Sequence, residues 1–217
     1  MTKFNPDEFL ANIRPAETTV TIFPRADIAG KLLAVEADLE LFPVEDDEEA
    51  TLESGSEKAE LLAKRDEYQD ILRESAQELT IRVVTDDRAN ELTKIARKAC
   101  AEEADAAAKE AAGYAREECR RAEVGDKNEI RDAVRRAAST ASNAVVNQET
   151  GYHIMAEAIV DEDTGAPIFT VEQVRSFAEK IGAKQMQNIR EAFYDLTASD
   201  PGSFVPKSKK PGATEEG

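Results

Sequence analysis

The spacing of apolar residues predicts two kinds of element in the first part of the chain. Polar and apolar residues alternate at 18–23 and again at 78–84, and both segments are rich in β-branched side chains. This pattern is typical of half-buried strands. Between them, apolar residues recur every three or four positions over 27–42 and 57–76, the spacing of one helix face. A strand-helix-helix-strand unit over 18–84 is therefore expected, its strands pairing with each other or with a partner.

The two helices of this unit are separated by a strongly acidic segment. Five consecutive carboxylates run from Glu45 to Glu49, and Ser-Gly-Ser follows at 54–56. A segment of this composition buries too little apolar surface to order itself. We therefore expect an acidic linker over 43–56.

Residues 85–150 have the pattern of a long helical hairpin. Thr85 is a good N-cap, and an apolar stripe follows it to Cys100. Beyond Cys100 the stripe is almost pure alanine among charged residues, a composition with high helix propensity and little to bury. Gly125 and Asp126 mark a stop and a new cap before a second amphipathic face. The hairpin is interpreted either as a solvated spacer or as a dedicated binding surface.

Three short helices are predicted over 151–200. The apolar stretch at 152–160 is dense enough to be the most buried helix of the chain. Thr170 and Gln173 form a capping box, and Gly182 is placed to end the helix that the box begins. With a flexible N-terminal arm at 1–17 and a disordered tail at 201–217, the prediction is a mainly α fold of the α+β type. Its β part is a small two-stranded element, and its C-terminal unit is a helical bundle.

Large apolar side chains are concentrated in this C-terminal unit. Helices this short do not all cover one another, and methionine-containing faces adapt to extended partners. One interpretation is a partner-binding face, and the other is that the same residues form the core with the strands. The candidate partner-binding residues are Ile154, Met155, Ile159, Phe177, Ile181, Met186 and Phe193.

Composition changes the range of possible partners. The chain has 28 Lys and Arg against 45 Asp and Glu, a net charge of -17. This charge repels nucleic-acid phosphate and anionic membranes, so neither is expected as a partner. With 6% aromatic residues and no Trp, the helices should pack thinly. The sequence contains neither a signal-peptide pattern nor an apolar run of membrane-spanning length, and we expect a cytoplasmic protein.

Residue types that carry chemistry are sparse. Cys100 and Cys119 fall in one predicted helical stretch, where roughly 28 Å of rise separates them, too far for a disulfide. His153 lies in the apolar helix, and we identify no catalytic arrangement around it from local spacing, so a core or rim position is expected. No phosphate-binding glycine loop or EF-hand spacing occurs. The sequence therefore predicts no catalytic residue, no cofactor and no metal site.

The order of elements resembles a known family, the tail assembly chaperones of long-tailed, siphovirus-type bacteriophages that infect actinobacteria. The resemblance spans about 18–198 and departs from the family at 101–145, where the alanine-rich segment is longer than the family's connection. The segments that carry it are TVTIFPRADIAGKLLAVEADLE, LLAKRDEYQDILRESA, ELTIRVVTDDRANELTKIARKA, YHIMAEAIV, FTVEQVRSFAEKIG and KQMQNIREAFYDLTA.

The resemblance implies a protein that is not an enzyme. It would bind and solubilise the tape measure protein in the cytoplasm of the infected host, help recruit tail tube protein, and be absent from the mature virion. A frameshifted longer form is often made in this family, and self-association is a further expectation. The alternative is a structural or scaffold component of a phage virion that oligomerises through its long helices.

Overall fold

A computed structural model of the protein describes residues 5–6, 13–41 and 52–199. Within these ranges the chain is mainly helical with a small antiparallel sheet, so the expected fold class is confirmed. The elements in chain order are β1 (Glu17–Ile22), α1 (Ala26–Glu40), α2 (Leu52–Ser75), β2 (Gln77–Arg82), α3 (Asp86–Ala99), α4 (Ala101–Arg121), α5 (Lys127–Ala158), β3 (Ile159–Val160), α6 (Val171–Ile181) and α7 (Ala183–Ala198).

The sheet has three strands in the order β1-β2-β3, not the expected two. β1 pairs with β2 so that Val20 lies opposite Leu79, and β3 pairs with the other edge of β2 through Ile159 and Val160. The prediction that 152–160 is helical throughout is wrong at its end, because Ile159 adopts an extended backbone. By pairing with β2, residues 159–160 supply hydrogen-bond partners to buried backbone groups of that strand. A longer helix would not supply them.

The main core lies between the sheet and the C-terminal helices. Ile81, Ile159, Val174 and Ile189 are its largest fully buried side chains. They come from two strands and from α6 and α7, and the end of α5 adds Met155. The apolar face of the strand unit is thus covered mainly by the C-terminal helices.

The helices α1 and α2 form a hairpin between β1 and β2. Ile28 and Val35 of α1 are buried, and neither belongs to the main core cluster. The backbone of α2 begins at Leu52, so the predicted linker is wrong at its end, where 54–56 are helical. The unfavourable propensity of Ser and Gly, about 1 kcal/mol or less each, is outweighed by helix formers that follow. The rest of the linker, at 43–51, lies outside the described residues, as do the predicted tail and much of the arm.

A second helical hairpin is formed by α4 and α5. Asp126 caps α5 by accepting a hydrogen bond from the backbone N–H of Asn128 at 2.7 Å, as its position in the sequence predicts. Ala104 and Ala112 are buried in α4, because alanine permits close approach of the helices. The predicted boundary at 150/151 does not end an element, since α5 continues through Gly151 into the core. One glycine inside a helix costs about 1 kcal/mol, which is less than the free energy gained by burying apolar residues on both sides of it.

Candidate partner-binding surface and buried polar cluster

The seven candidate partner-binding residues lie in or against the main core. Ile154 and Phe177 are half-buried and pack on the core from outside. The other five are buried, namely Met155, Ile159, Ile181, Met186 and Phe193. The interpretation that these residues form the core with the strands is thus confirmed. A partner role for the five buried residues stays a prediction, and it requires α6 or α7 to move.

Phe169 and Phe177 are half-buried against the core, and Ile168, next to Phe169 in the chain, is exposed; we call these three residues the aromatic rim. The rings of Phe169 and Phe177 stack with their centroids 5.7 Å apart. Ile168 is 43% exposed, and its backbone N–H donates to the carbonyl of Ile159 at 3.1 Å. The rim is therefore fixed to the edge of the sheet.

Phe169 and Ile168 were not among the residues predicted from the sequence. Phe169 directly precedes the N-cap Thr170, the position of a hydrophobic staple, which packs on the first turns of the following helix. The capping box at Thr170 and Gln173 is present as predicted. The staple position next to it was the local signal that could have extended the predicted surface to Phe169.

A buried polar cluster joins α5 to α6. The Glu149 side chain is 7% exposed, and its Oε1 accepts a hydrogen bond from Nη2 of Arg175. Nε2 of His153, whose side chain is 13% exposed, lies 3.3 Å from the same oxygen. The expectation that His153 is a core or rim histidine is met. Glu149 precedes His153 by one helical turn, so the contact between them is local in the sequence.

The cluster borders a cavity of about 210 Å³. Arg175 lies over the ring of Tyr152, 5.9 Å from its centroid, and the Tyr152 hydroxyl accepts from Nε2 of Gln148 at 2.8 Å. The residues lining the cavity are Glu103, Val145, Gln148, Glu149, Tyr152, Arg175 and Glu179. These contacts fix Arg175 against the buried carboxylate, so the arrangement serves to hold α6 on α5.

Cys100 lies near this cluster, and its environment suppresses thiol reactivity. Burial raises the pKa of the Cys100 thiol, and the negative charge of Glu149 raises it further. A thiol with a raised pKa has little thiolate at neutral pH and is a poor nucleophile and metal ligand. Both cysteines are free.

Other ligand chemistry is limited in the part of the chain that the structure describes. Across residues 5–6, 13–41 and 52–199, no group of three or more His, Cys, Asp or Glu side chains is arranged to hold a metal ion. Nor does any helix in these ranges combine the length and apolar character needed to cross a membrane.

Comparison with known proteins found no matching family model, no matching curated protein and no matching solved structure. The function is therefore inferred from the residues and the geometry of this chain.

Proposed function

We propose that the protein is a phage tail assembly chaperone, which binds and solubilises the tape measure protein and helps recruit tail tube subunits. The observation that carries the proposal is the aromatic rim, in which Ile168 is 43% exposed and Phe169 and Phe177 are half-buried, on a chain of net charge -17. The order of elements along the sequence, which resembles that family, supplies the identity of the client. The protein acts in the cytoplasm of the infected cell and is absent from the mature virion.

The rim has the chemistry needed to bind an amphipathic helix. Ile168 and the accessible parts of the Phe169 and Phe177 rings offer apolar area at small conformational entropy cost, and exposed apolar patches on soluble proteins mark interaction sites. A long helical client offers apolar residues at helical spacing, which dock on such a surface. The high negative charge of the chaperone then keeps the complex soluble.

The buried residues of the C-terminal unit supply a second set of client contacts in the same proposal. Met155 and Met186 belong to the core cluster against which Phe169 and Phe177 pack. Methionine side chains repack readily around different partners. In this proposal they contact the client when α6 moves away from the sheet.

Co-expression with the tape measure protein of the same phage genome tests the proposal. We expect the tape measure protein to become soluble and to co-purify with the chaperone. Ile168→Glu should reduce its recovery at least about tenfold, because a charge placed in an apolar contact is strongly unfavourable. Tyr114→Glu is the matched control, since Tyr114 is a 67% exposed apolar residue on α4, and it should leave recovery unchanged. A client that stays insoluble and unbound with the unmodified protein contradicts the proposal.

A second candidate function is a structural or scaffold component of the virion. It is favoured by the hairpin of α4 and α5, helices of 21 and 32 residues that offer a long surface for oligomerisation. Mass spectrometry of purified virions separates the two functions. A chaperone is absent from the particles, whereas a structural component is present in stoichiometric amount.

A further inference from the structure

The strand β1 lies at one end of the sheet. It pairs with β2 on one side, and no strand within residues 5–6, 13–41 and 52–199 pairs with its other side. Proteins usually protect such an edge with prolines, lysines or bulges, because its N–H and C=O groups can bind another strand. β1 has none of these, and Glu17, its one charged residue, is paired with Arg82 at 2.6 Å. The outer edge of β1 is therefore suited to pairing.

The hydrogen bonds to β2 show which groups of β1 face this outer edge. In an antiparallel pair, directly opposite residues exchange hydrogen bonds at every second position. The backbone N–H of Val83 donates to the carbonyl of Ala16 at 3.1 Å, so by alternation the even-numbered residues of β1 bond to β2. The backbone groups of Glu17, Thr19 and Thr21 therefore point away from β2.

The outer edge is closed at both ends. Phe23 continues the alternation, and its N–H donates to Oε1 of Gln185 on α7 at 2.6 Å. The carbonyl of Phe23 accepts from Nε2 of the same side chain at 2.9 Å. At the other end, Pro15 has no N–H to donate. The groups left for pairing lie between these two ends and are centred on Thr19.

This arrangement is complementary to a second copy of the chain. In an antiparallel pair about a twofold axis at Thr19, Thr19 faces Thr19 of the other copy, and Glu17 faces Thr21. The outward N–H and C=O groups of all three residues then have hydrogen-bond partners. The pairing thus completes the backbone hydrogen bonds of β1.

The two ends of the edge agree with this register. Pro15 lies opposite Phe23 of the other copy, whose N–H and C=O are already bound. An axis at Val20 would instead place Glu17 opposite Phe23 and leave the outward groups of Glu17 without partners. The axis at Thr19 is therefore the symmetric register that uses every group left for pairing.

The side chains are compatible with the same register. Thr18 and Val20 are half-buried on the core side of β1, and they face one another across the two copies, where each gains burial. On the solvated side, Glu17 faces Thr21, so no two carboxylates lie directly opposite each other. Like charges in opposite positions would destabilise the pair.

We propose that two copies of this chain associate through the outer edges of β1, antiparallel about a twofold axis at Thr19. The two three-stranded sheets then form one continuous sheet. The aromatic rim is attached to β3, at the opposite end of each sheet, through the hydrogen bond from Ile168 to Ile159. This association is therefore independent of client binding.

The mass of the full-length protein in solution, measured by sedimentation equilibrium, tests the proposal. We expect a dimer for the unmodified protein and a monomer for Thr19→Pro, which removes an N–H that faces the other copy and is not used by β2. Circular dichroism checks that this variant is folded. An unmodified protein that is monomeric, or a folded Thr19→Pro variant that stays dimeric, overturns the proposal.

Thr19→Glu keeps the backbone N–H and decides the matter if the proline variant does not fold. It places two carboxylates directly opposite each other at the axis and should weaken association by about tenfold or more. Thr80→Glu is the matched control, since Thr80 lies opposite Thr19 on β2 and away from the outer edge, and it should remain dimeric. Equal association of the two variants contradicts the proposal.

Cysteine cross-linking tests the register, in a Cys119→Ser background that leaves only the buried Cys100. Thr19→Cys should give a covalent dimer on oxidation, because opposite residues of a bonded pair have Cα atoms about 5.5 Å apart. Thr21→Cys is the control, since its counterpart lies four residues along the strand, roughly 13 Å away. Cross-linking through Thr21→Cys and not through Thr19→Cys contradicts this register.

Client binding at the same edge is the alternative that these measurements separate. If the unmodified protein is monomeric and Thr19→Pro abolishes recovery of the tape measure protein, the edge pairs with the client and the dimer is overturned. If the protein is dimeric and Thr19→Pro leaves that recovery unchanged, the edge serves self-association alone, as proposed.

Discussion

Arg175 of α6 donates a hydrogen bond to Glu149 of α5, a residue that is buried at the point where the α4–α5 hairpin meets the C-terminal core. An isolated carboxylate at this depth carries a large desolvation penalty. Arg175 offsets the penalty with an opposite charge and a hydrogen bond, and His153 contacts the same oxygen. The pair therefore adds a charged contact between α5 and α6 to the apolar packing of Val174 and Ile181 in the core.

Removal of the arginine charge should destabilise the fold. Arg175→Met keeps the aliphatic length of the side chain but leaves Glu149 with His153 alone, and we expect a loss of about 2 kcal/mol in the free energy of unfolding. Urea denaturation followed by circular dichroism measures this loss. The double variant Glu149→Gln with Arg175→Met should regain more than half of it, because no unpaired buried charge remains.

Arg121 provides the matched control for this prediction. It contacts Glu117 at 3.5 Å on the surface of α4, with its side chain 77% exposed. Arg121→Met should therefore change the free energy of unfolding by less than about 0.5 kcal/mol. If Arg175→Met is no more destabilising than Arg121→Met, the pair does not hold α6 in place.

Two glycine substitutions should shift stability in opposite directions. Gly165 has φ of +66°, and an added Cβ would lie 2.2 Å from Nη2 of Arg82. That arginine donates to the Gly165 carbonyl at 2.9 Å and pairs with Glu17, so Gly165→Ala should destabilise by about 1–2 kcal/mol.

Gly113 lies within α4, and a Cβ there meets nothing within 4 Å. Gly113→Ala should stabilise by about 0.5–1 kcal/mol, because alanine loses less backbone entropy in a helix. Melting temperatures of the two variants check both signs. A shift in the same direction for both would contradict the conformational roles assigned to these glycines.

The loop after β3 should respond to acid through Asp161. Its Oδ1 accepts hydrogen bonds from the Thr164 hydroxyl and the Thr164 backbone N–H, each at 2.8 Å, and these bonds lower the pKa of the Asp161 carboxyl. A lowered pKa in the folded state means that the stabilisation is complete above the unfolded-state pKa of about 3.9. The stabilisation is lost as the pH falls through the lower, folded-state pKa.

Thr164→Ala tests this assignment. It removes the hydroxyl, which makes the largest contribution, and leaves the backbone N–H in place. The pKa of Asp161, measured by carboxyl NMR titration, should therefore rise part of the way to its ordinary value. Thr197→Ala removes a hydroxyl that bonds the Phe193 carbonyl on α7 and should leave the titration of Asp161 unchanged. An unaltered Asp161 titration in Thr164→Ala would show that the hydroxyl is not the cause.

Much of the secondary structure could be predicted because its signals are local. Thr85, Asp126 and Thr170 each cap a helix as their positions predict, and Gly182 ends α6 with φ of +86°. A cap is formed by hydrogen bonds within three residues. Local sequence is therefore sufficient to place it.

The errors occur where nonlocal packing outweighs a local preference. Gly151 is a helix-weakening residue, yet α5 continues through it because residues on either side are buried, among them Val146 and Met155. Ile159 follows a helical pattern, yet it forms a strand because the free edge of β2 lies beside it. Neither outcome can be read from a window of neighbouring residues.

The candidate partner-binding surface was predicted only in part, because it too depends on nonlocal packing. Hydrophobic pattern identifies the apolar residues of the C-terminal unit, and it does not distinguish Phe177 at the surface from Ile181 in the core. The contact between Glu149 and His153 was local and could have been found from their one-turn spacing. The contact between Glu149 and Arg175 spans 26 residues and depends on how two helices meet.

The sequence by itself determined the mainly helical class, the capped helix starts and the net charge, since these depend on composition and on interactions between near neighbours. Tertiary structure alone decided the third strand, the burial of five of the seven candidate residues, and the exposure of Leu33 on α1. Burial is a property of the distances between elements, and those distances are set by the packing of the whole chain.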